Sequence, residues 1–122
     1  MDTRAKELCA LLEEAERQVQ ANPEADQVIA VKTAKGNTYH FANHQVQAGS
    51  RADEDRFVEL LREKDDVTVQ YLVAMWNTCG IDLPSMHFRR RLLELSPQNA
   101  EAVIPLQGEG GYLMRTIGST MP

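Results

Sequence analysis

The sequence has few cysteines, no long apolar run and less positive than negative charge. Cys9 and Cys79 are its only cysteines, too few for a disulfide framework or a zinc site by themselves. No apolar run approaches the roughly 18 residues that a membrane-spanning helix needs, and the chain is charged from Asp2 onward without an apolar signal segment. We therefore expect no membrane partner and a reducing, cytoplasmic location.

The charge balance also argues against a nucleic-acid partner. Lys and Arg number 13 and Asp and Glu number 18, which gives a net charge of −5. Nucleic-acid-binding domains usually carry a positive surface. The apolar share of 43% and the charged share of 25% are ordinary for a globular protein, and 122 residues suffice for one core. We expect residues 1–122 to form a single domain.

The first half of the chain predicts a helix and a β-hairpin. Apolar residues at spacings of three and four place one stripe on a helix over residues 2–21: Ala5, Leu8, Leu12, Ala15 and Val19. Pro23 ends this helix, because the residue before a proline avoids helical geometry. The β-branched segment 27–33 and the segment 37–41 flank a tight-turn sequence, which predicts a hairpin.

The second half predicts two helix–strand pairs and a final strand. Ser50 and Asp53 form a variant of a capping box for a helix that runs to about Lys64. The predicted elements that follow are a central strand (67–76), a helix opened by Pro84 that ends near residue 95, and strands over 102–106 and 112–117. Pro105 favours an edge position or a bulge for the first of these last strands. The order α-β-β-α-β-α-β-β is typical of an α/β fold with one sheet and helices on its faces.

Three segments, taken in order, resemble the small homo-oligomeric cytidine deaminases. They are Gly36–Asn43, Leu83–Pro97, and Gly108–Gly111 together with residues 115–117 and the terminal Met121-Pro122. The resemblance implies a three-layer α/β/α sandwich around a five-stranded mixed sheet. It also implies a homo-oligomer, a dimer or a tetramer, because members of this family build each pocket at subunit interfaces.

The residues that zinc deaminases need are absent from this match. Those enzymes use a Cys or His followed two residues later by a Glu, and two further Cys, so that zinc keeps one position for the attacking water. Asp53 and Asp55 stand against the family's Cys and Glu, and the loop before them is one residue short, so this register can shift by one. Ser85 and Phe88 stand against the two Cys of Pro-Cys-x-x-Cys. A serine is a poor zinc ligand and a phenylalanine cannot ligate.

The resemblance also places a ligand-binding segment. The family holds a ribose with an Asn and, two residues later, a Glu, and these positions are Asn43 and Gln45 here. Together with Phe41 they are the predicted ligand-binding residues. We expect no catalytic residue, no metal and no cofactor, and hence a pseudoenzyme that binds a nucleoside-like molecule or acts as a regulatory protein. The alternatives are an interaction protein without a small ligand, and an enzyme with a rearranged site.

Simpler interpretations apply to several of these residues. Asp53 and Asp55 fit the first turn of a helix, where acids are favourable by roughly 0.3–1 kcal/mol each. The basic triplet 89–91 spreads around a helix and indicates separate ion pairs rather than one patch. Cys9 borders the first apolar stripe and is interpreted as a small packing residue.

Overall fold

A computed structural model describes residues 3–122 of the chain. The helices are α1 (Thr3–Ala21), α2 (Ala52–Glu63) and α3 (Met86–Leu95), and short 3-10 segments cover Pro97–Glu101 and Gly118–Thr120. The strands are β1 (Gln27–Thr33), β2 (Thr38–Asn43), β3 (Val69–Trp76), β4 (Ile81–Asp82), β5 (Val103–Gly108) and β6 (Gly111–Thr116). The predicted order is confirmed, with the two-residue strand β4 as an addition.

The strands form one mixed sheet in the order β2-β1-β3-β5-β6, and β4 pairs with β3 beside this path. β1 is antiparallel to both β2 and β3, β3 is parallel to β5, and β5 is antiparallel to β6. The tight turn after β1 makes β1 and β2 a hairpin, as predicted. β3 is therefore a central strand, which explains why its sequence is apolar on both faces.

Helices cover both faces of the sheet. One face packs against the apolar stripe of α1, and the other packs against α2 and α3. Buried residues between α1 and the sheet include Leu8, Leu11, Ala15, Val19, Val28, Ala30 and Val73. Buried residues on the opposite face include Ile29, Val31, Phe57, Leu61, Leu72, Phe88 and Leu92. The three-layer sandwich is thus confirmed, and no helix within residues 3–122 is long and apolar enough to cross a membrane.

Three local predictions are wrong. The N-cap of α2 is Arg51, without a side-chain cap, and the Asp53 carboxylate accepts the backbone N–H of His44, so no capping box forms. Cys9 is exposed and does not pack in the core. Pro105 lies in an inner strand of the sheet and not in an edge strand; at its own position, however, β5 is paired with β6 and not with β3, because the β3–β5 pairing involves only Tyr71 and Val103.

The three arginines at positions 89–91 have three different environments. Arg89 is buried, and its guanidinium donates to the carbonyl oxygens of Pro84 at 3.0 Å and Thr120 at 3.1 Å. It thereby ties the start of α3 to the C-terminal segment. Arg90 is exposed, and Arg91 reaches acids on α2. The prediction that these residues do not form one basic patch is confirmed, and the predicted ion pairing holds for Arg91, whereas Arg89 donates to backbone carbonyl oxygens instead.

Candidate functional site

The carboxylate of Glu54 is the centre of a buried polar cluster that joins β2, α2 and α3. Its side chain is fully buried. The Ser85 hydroxyl donates to one carboxylate oxygen at 2.6 Å, and the Asn43 side-chain amide donates to the other at 2.8 Å. The Arg51 Nε atom lies 3.9 Å from the Ser85-bound oxygen and supplies a partly exposed positive charge. Both oxygens of a buried carboxylate are therefore hydrogen-bonded, as burial of such a group requires.

Local structure fixes each member of this Glu54 cluster. Glu54 shares the buried face of α2 with Phe57, Val58 and Leu61, at helical spacing. Asn43 is the last residue of β2 and pairs with Gln27 of β1, whose side-chain oxygen accepts from the Asn43 amide at 3.3 Å. The β1–β2 hairpin and the buried stripe of α2 thus bring the Asn43 amide and the Glu54 carboxylate together.

Ser85 holds the cluster to the N-terminus of α3. It is the N-cap of that helix, and its hydroxyl oxygen accepts the backbone N–H of Phe88 at 3.0 Å. The same hydroxyl donates its proton toward Glu54. Ser85 therefore links the Glu54 carboxylate to the first turn of α3, where a helix N-terminus is a favourable neighbour for an acidic side chain.

Three phenylalanines pack beside the Glu54 cluster. The Phe41 and Phe57 rings are stacked with centroids 4.6 Å apart, and the Phe88 centroid lies 5.7 Å from Phe41 and 6.2 Å from Phe57. Phe57 and Phe88 are buried, whereas Phe41 is partly exposed. Aromatic pairs at these separations stabilise a core beyond the area they bury. The Phe88 side chain therefore fills part of the core and offers no atom that could bind a metal ion at this position.

Asn43 carries the one unsatisfied buried side-chain atom among residues 3–122. Its amide nitrogen donates twice, but its Oδ1 oxygen has no hydrogen-bond partner. A buried acceptor without a partner costs about 1–3 kcal/mol. This oxygen is the point in the Glu54 cluster where a donor from elsewhere would add stability.

The other predicted site residues lie outside the Glu54 cluster. Asp55 of α2 meets the His87 ring at 2.6 Å and the Arg91 guanidinium at 2.8 Å, which links α2 to α3. Gln45 is exposed in the segment that follows β2 and has a φ of 56°, in the left-handed region. The structure thus brings together Phe41, Asn43, Ser85 and Phe88, but not Gln45, Asp53 or Asp55.

Asp53 instead anchors the segment after β2 through His44. The Asp53 carboxylate accepts the His44 backbone N–H at 2.8 Å and lies 3.0 Å from its Nδ1 atom, and Nε2 lies 3.2 Å from Glu24. Hydrogen bonds to Asp53 and then to Glu24 raise the pKa of His44. Burial of Asp53 opposes its ionisation, but the bonds from His44 outweigh it, so the pKa of Asp53 is lowered.

The sequence interpretation missed Glu54, the residue between the two acids it selected. The short loop before α2 allowed a shift of one residue, and the structure places Glu54, not Asp53 or Asp55, next to Ser85. The signal was present in the sequence. Glu54, Phe57, Val58 and Leu61 follow the i, i+3, i+4, i+7 spacing of a buried helix face, so the acid at the head of this stripe points inward.

These residues do not fit a zinc ion of the deaminase type. Such a site needs three nitrogen or sulfur ligands or carboxylates around one point. The Glu54 cluster offers one carboxylate, whose oxygens accept from Ser85 and Asn43, and a phenyl ring at Phe88. Throughout the part of the chain that the structure describes, no three His, Cys, Asp or Glu side chains are grouped so that they could hold a metal ion.

Comparison with known proteins supports the fold. No family model and no curated protein matches the sequence. A glutamate-to-glutamine variant of the cytidine deaminase from Mycobacterium tuberculosis is 18% identical, with a TM-score of 0.69 over 94% of each chain. The cytidine deaminase from Mycobacterium leprae is 15% identical, with a TM-score of 0.68 over 94% of this chain and 97% of that one. A glutamate-to-aspartate variant of the Mycobacterium tuberculosis enzyme is 17% identical, with a TM-score of 0.67 over 94% of this chain and 91% of that one.

These likenesses extend over almost the whole chain, and they show a cytidine deaminase-like fold. At identities below 20% they carry the fold alone. What the chain does must therefore be argued from its own residues.

Proposed function

We propose that this chain is a catalytically inactive cytidine deaminase-like protein, a homo-oligomer that binds a nucleoside-like molecule or acts as a regulator. The observation that supports it is the Glu54 cluster. A hydroxyl, an amide and one carboxylate are joined there by hydrogen bonds, and a phenyl ring packs beside them. Zinc-dependent hydrolysis needs a different set of groups.

Glu54 is poorly suited to act as a general base in this arrangement. A general base must reach the substrate proton within hydrogen-bond distance and must be free to accept it. Glu54 is fully buried, and both of its oxygens already accept hydrogen bonds. The role of Glu54 is therefore structural: its carboxylate joins β2 and the N-termini of α2 and α3.

We propose that Phe41, Asn43 and Gln45 bind a nucleoside-like ligand. Phe41 presents a partly exposed ring, on which a base can stack, and Gln45 is an exposed amide. The Asn43 Oδ1 atom lacks a donor, and a ligand hydroxyl could supply one. Because Asn43 is fully buried, this contact requires the residues that cover it to move. The absence of a transmembrane helix in residues 3–122 and the two unpaired cysteines are compatible with the cytoplasmic location that we expect.

Two assays on the same preparation test this proposal. Ammonia release from cytidine and deoxycytidine, with zinc added, should stay at the level of a no-protein blank. A nucleoside panel should raise the thermal midpoint, because a ligand at 100 times its Kd stabilises a fold by about 2.7 kcal/mol. Gln45→Ala should reduce this shift, whereas the exposed neighbour Gln47→Ala should leave it unchanged. Turnover above the blank would refute the inactive assignment, and a panel without any shift would refute ligand binding.

An interaction protein without a small ligand is the second candidate. It is favoured by one observation, the exposed apolar side chains of β6. This candidate predicts no nucleoside shift together with self-association or partner binding through that strand.

A further inference from the structure

Strand β6 is an edge of the sheet and exposes three large apolar side chains in a row. Within residues 3–122 it comes last in the strand order and pairs only with β5. Tyr112, Leu113 and Met114 are 51%, 53% and 46% exposed, and they are the exposed large apolar residues of the part of the chain that the structure describes. Exposed apolar edge strands are templates for pairing with another strand.

The β5–β6 hairpin determines which backbone groups of β6 remain free. Its turn has two residues, so the flanking pair Gly108–Gly111 is hydrogen-bonded and such pairs then alternate along the ladder. Gly111 and Leu113 therefore point their N–H and C=O groups toward β5, and Tyr112 and Met114 point theirs outward. The proline at position 105 agrees with this register, because it faces Met114 in a pair that needs no N–H.

The usual protections of an edge strand are missing from β6. Natural edges carry lysines, prolines, bulges or inward-pointing charges. Between Gly111 and Thr116 the one charged residue is Arg115, and its guanidinium donates to the hydroxyl and carbonyl oxygens of Ser119 at 3.3 Å. The strand has no acid, although the chain has a net charge of −5. Two copies can therefore meet along β6 without bringing acids together.

We propose that β6 pairs antiparallel with β6 of a second copy, around a two-fold axis at Leu113. This inference gives a surface and a geometry to the homo-oligomer in the proposed function and rests on that part of it. In this register Leu113 lies opposite Leu113 of the second copy, and Tyr112 lies opposite Met114. Each exposed apolar side chain then meets another one, and the outward N–H and C=O groups of Tyr112 and Met114 bond to each other across the axis. The two sheets become one continuous sheet.

A groove beside β6 also favours a second copy of the chain as the partner of this strand. It encloses about 710 Å³ on the α1 side of the sheet, and Leu8, Tyr71, Val103 and Met114 line it. Tyr112 is on the same face as Met114, since side chains two residues apart on a strand share a face. Antiparallel pairing brings Tyr112 of the second copy next to Met114, at the mouth of this groove. An aromatic ring with a polar tip suits an apolar groove that stays open to water at its rim.

Opposite charges at Leu113 test the pairing directly. The wild-type protein should sediment as a dimer or a larger even assembly at micromolar concentration. Leu113→Lys and Leu113→Glu should each raise the dissociation constant of this contact at least tenfold, because like charges then face each other at the axis. An equimolar mixture of the two variants should restore association. Glu63→Lys, an exposed change at the end of α2, is the matched charge control and should behave as wild type.

Disulfide cross-linking at position 113 tests the same pairing without introducing a charge, and so applies even if a charged variant fails to fold. Leu113→Cys, in a chain with Cys9→Ala and Cys79→Ala, should form a disulfide-linked dimer on oxidation, because facing residues of a non-hydrogen-bonded antiparallel pair lie about 4.5 Å apart at Cα. Gln107→Cys in the same background should not, since it lies on β5. A wild-type protein that stays monomeric at micromolar concentration would refute both this inference and the homo-oligomer. An assembly that all Leu113 variants leave unchanged would refute only the β6 contact.

Discussion

The role of Glu54 can be separated from that of its partner by a double-mutant cycle with Ser85. The Ser85 hydroxyl makes two contacts, as the N-cap of α3 to the Phe88 N–H and as a donor to Glu54. Loss of an N-cap costs about 1 kcal/mol. Loss of a hydrogen bond to a charged group costs about 1.5–3 kcal/mol. Ser85→Ala should therefore lower the free energy of unfolding by roughly 2.5–4 kcal/mol.

The second background isolates the bond to the carboxylate. In a Glu54→Met chain the carboxylate is gone and the side-chain volume is similar, so Ser85→Ala should remove only the cap and cost about 1 kcal/mol. The two changes should then be coupled by about 1.5–3 kcal/mol, as expected for residues in direct contact. Ser96→Ala is the control, because the Ser96 side chain makes no cap hydrogen bond. It should change stability by less than about 0.5 kcal/mol.

Urea denaturation followed by circular dichroism measures these differences, provided that all variants have the same m-value. If Ser85→Ala costs the same in both backgrounds, the hydroxyl does not stabilise the carboxylate, and the closed Glu54 cluster is refuted. If the wild-type protein releases ammonia from cytidine and Glu54→Met does not, the structural role assigned to Glu54 is refuted as well.

Three further changes probe the surrounding structure. The pKa of His44 is raised in the folded protein, so the stability that its protonation contributes is complete below about pH 6.5 and is lost as the pH rises through the raised pKa. His44→Gln should therefore lower the thermal midpoint more at pH 6 than at pH 9, and His40→Gln is the control. Gln45→Gly should leave stability unchanged or raise it by up to about 1 kcal/mol, because the residue has a positive φ, while it reduces the nucleoside shift; a loss of stability would contradict this geometry. Phe88→Ala should cost about 3–5 kcal/mol in urea denaturation, and a cost below about 1 kcal/mol would show that the ring does not fill the core.

The sequence predicted those parts of the fold that depend on periodicity. The stripe of α1 and the tight turn between β1 and β2 are local signals, and the structure confirms both. The two-residue strand β4 carries no period that could reveal it, because it exists only through its pairing with Met75 and Ala74 of β3. The capping prediction at Ser50 was wrong because a tertiary contact, from His44 to Asp53, replaced the local one.

In the candidate site, too, the sequence predicts what depends on local spacing and not what depends on tertiary contacts. Alignment to the deaminase motif points to Asp53 and Asp55, but the loop before α2 is one residue short, and the inward-pointing acid is Glu54. The hydrophobic spacing of α2 contained the correct answer, since a helix determines which residues share a face. The pairing of Ser85 with Glu54 could not be predicted, because it depends on how the N-termini of α2 and α3 approach each other.

The zinc content of the purified, untagged protein tests the central claim most directly. The protein should be produced in zinc-supplemented medium and measured by elemental mass spectrometry, with ammonia release from cytidine followed on the same sample. The proposed function predicts zinc far below one ion per chain and no ammonia above the blank. Zinc near one ion per chain, retained after dialysis and lost in a Glu54→Met or Ser85→Ala variant, would contradict it, because these residues would then be ligands rather than partners of one another.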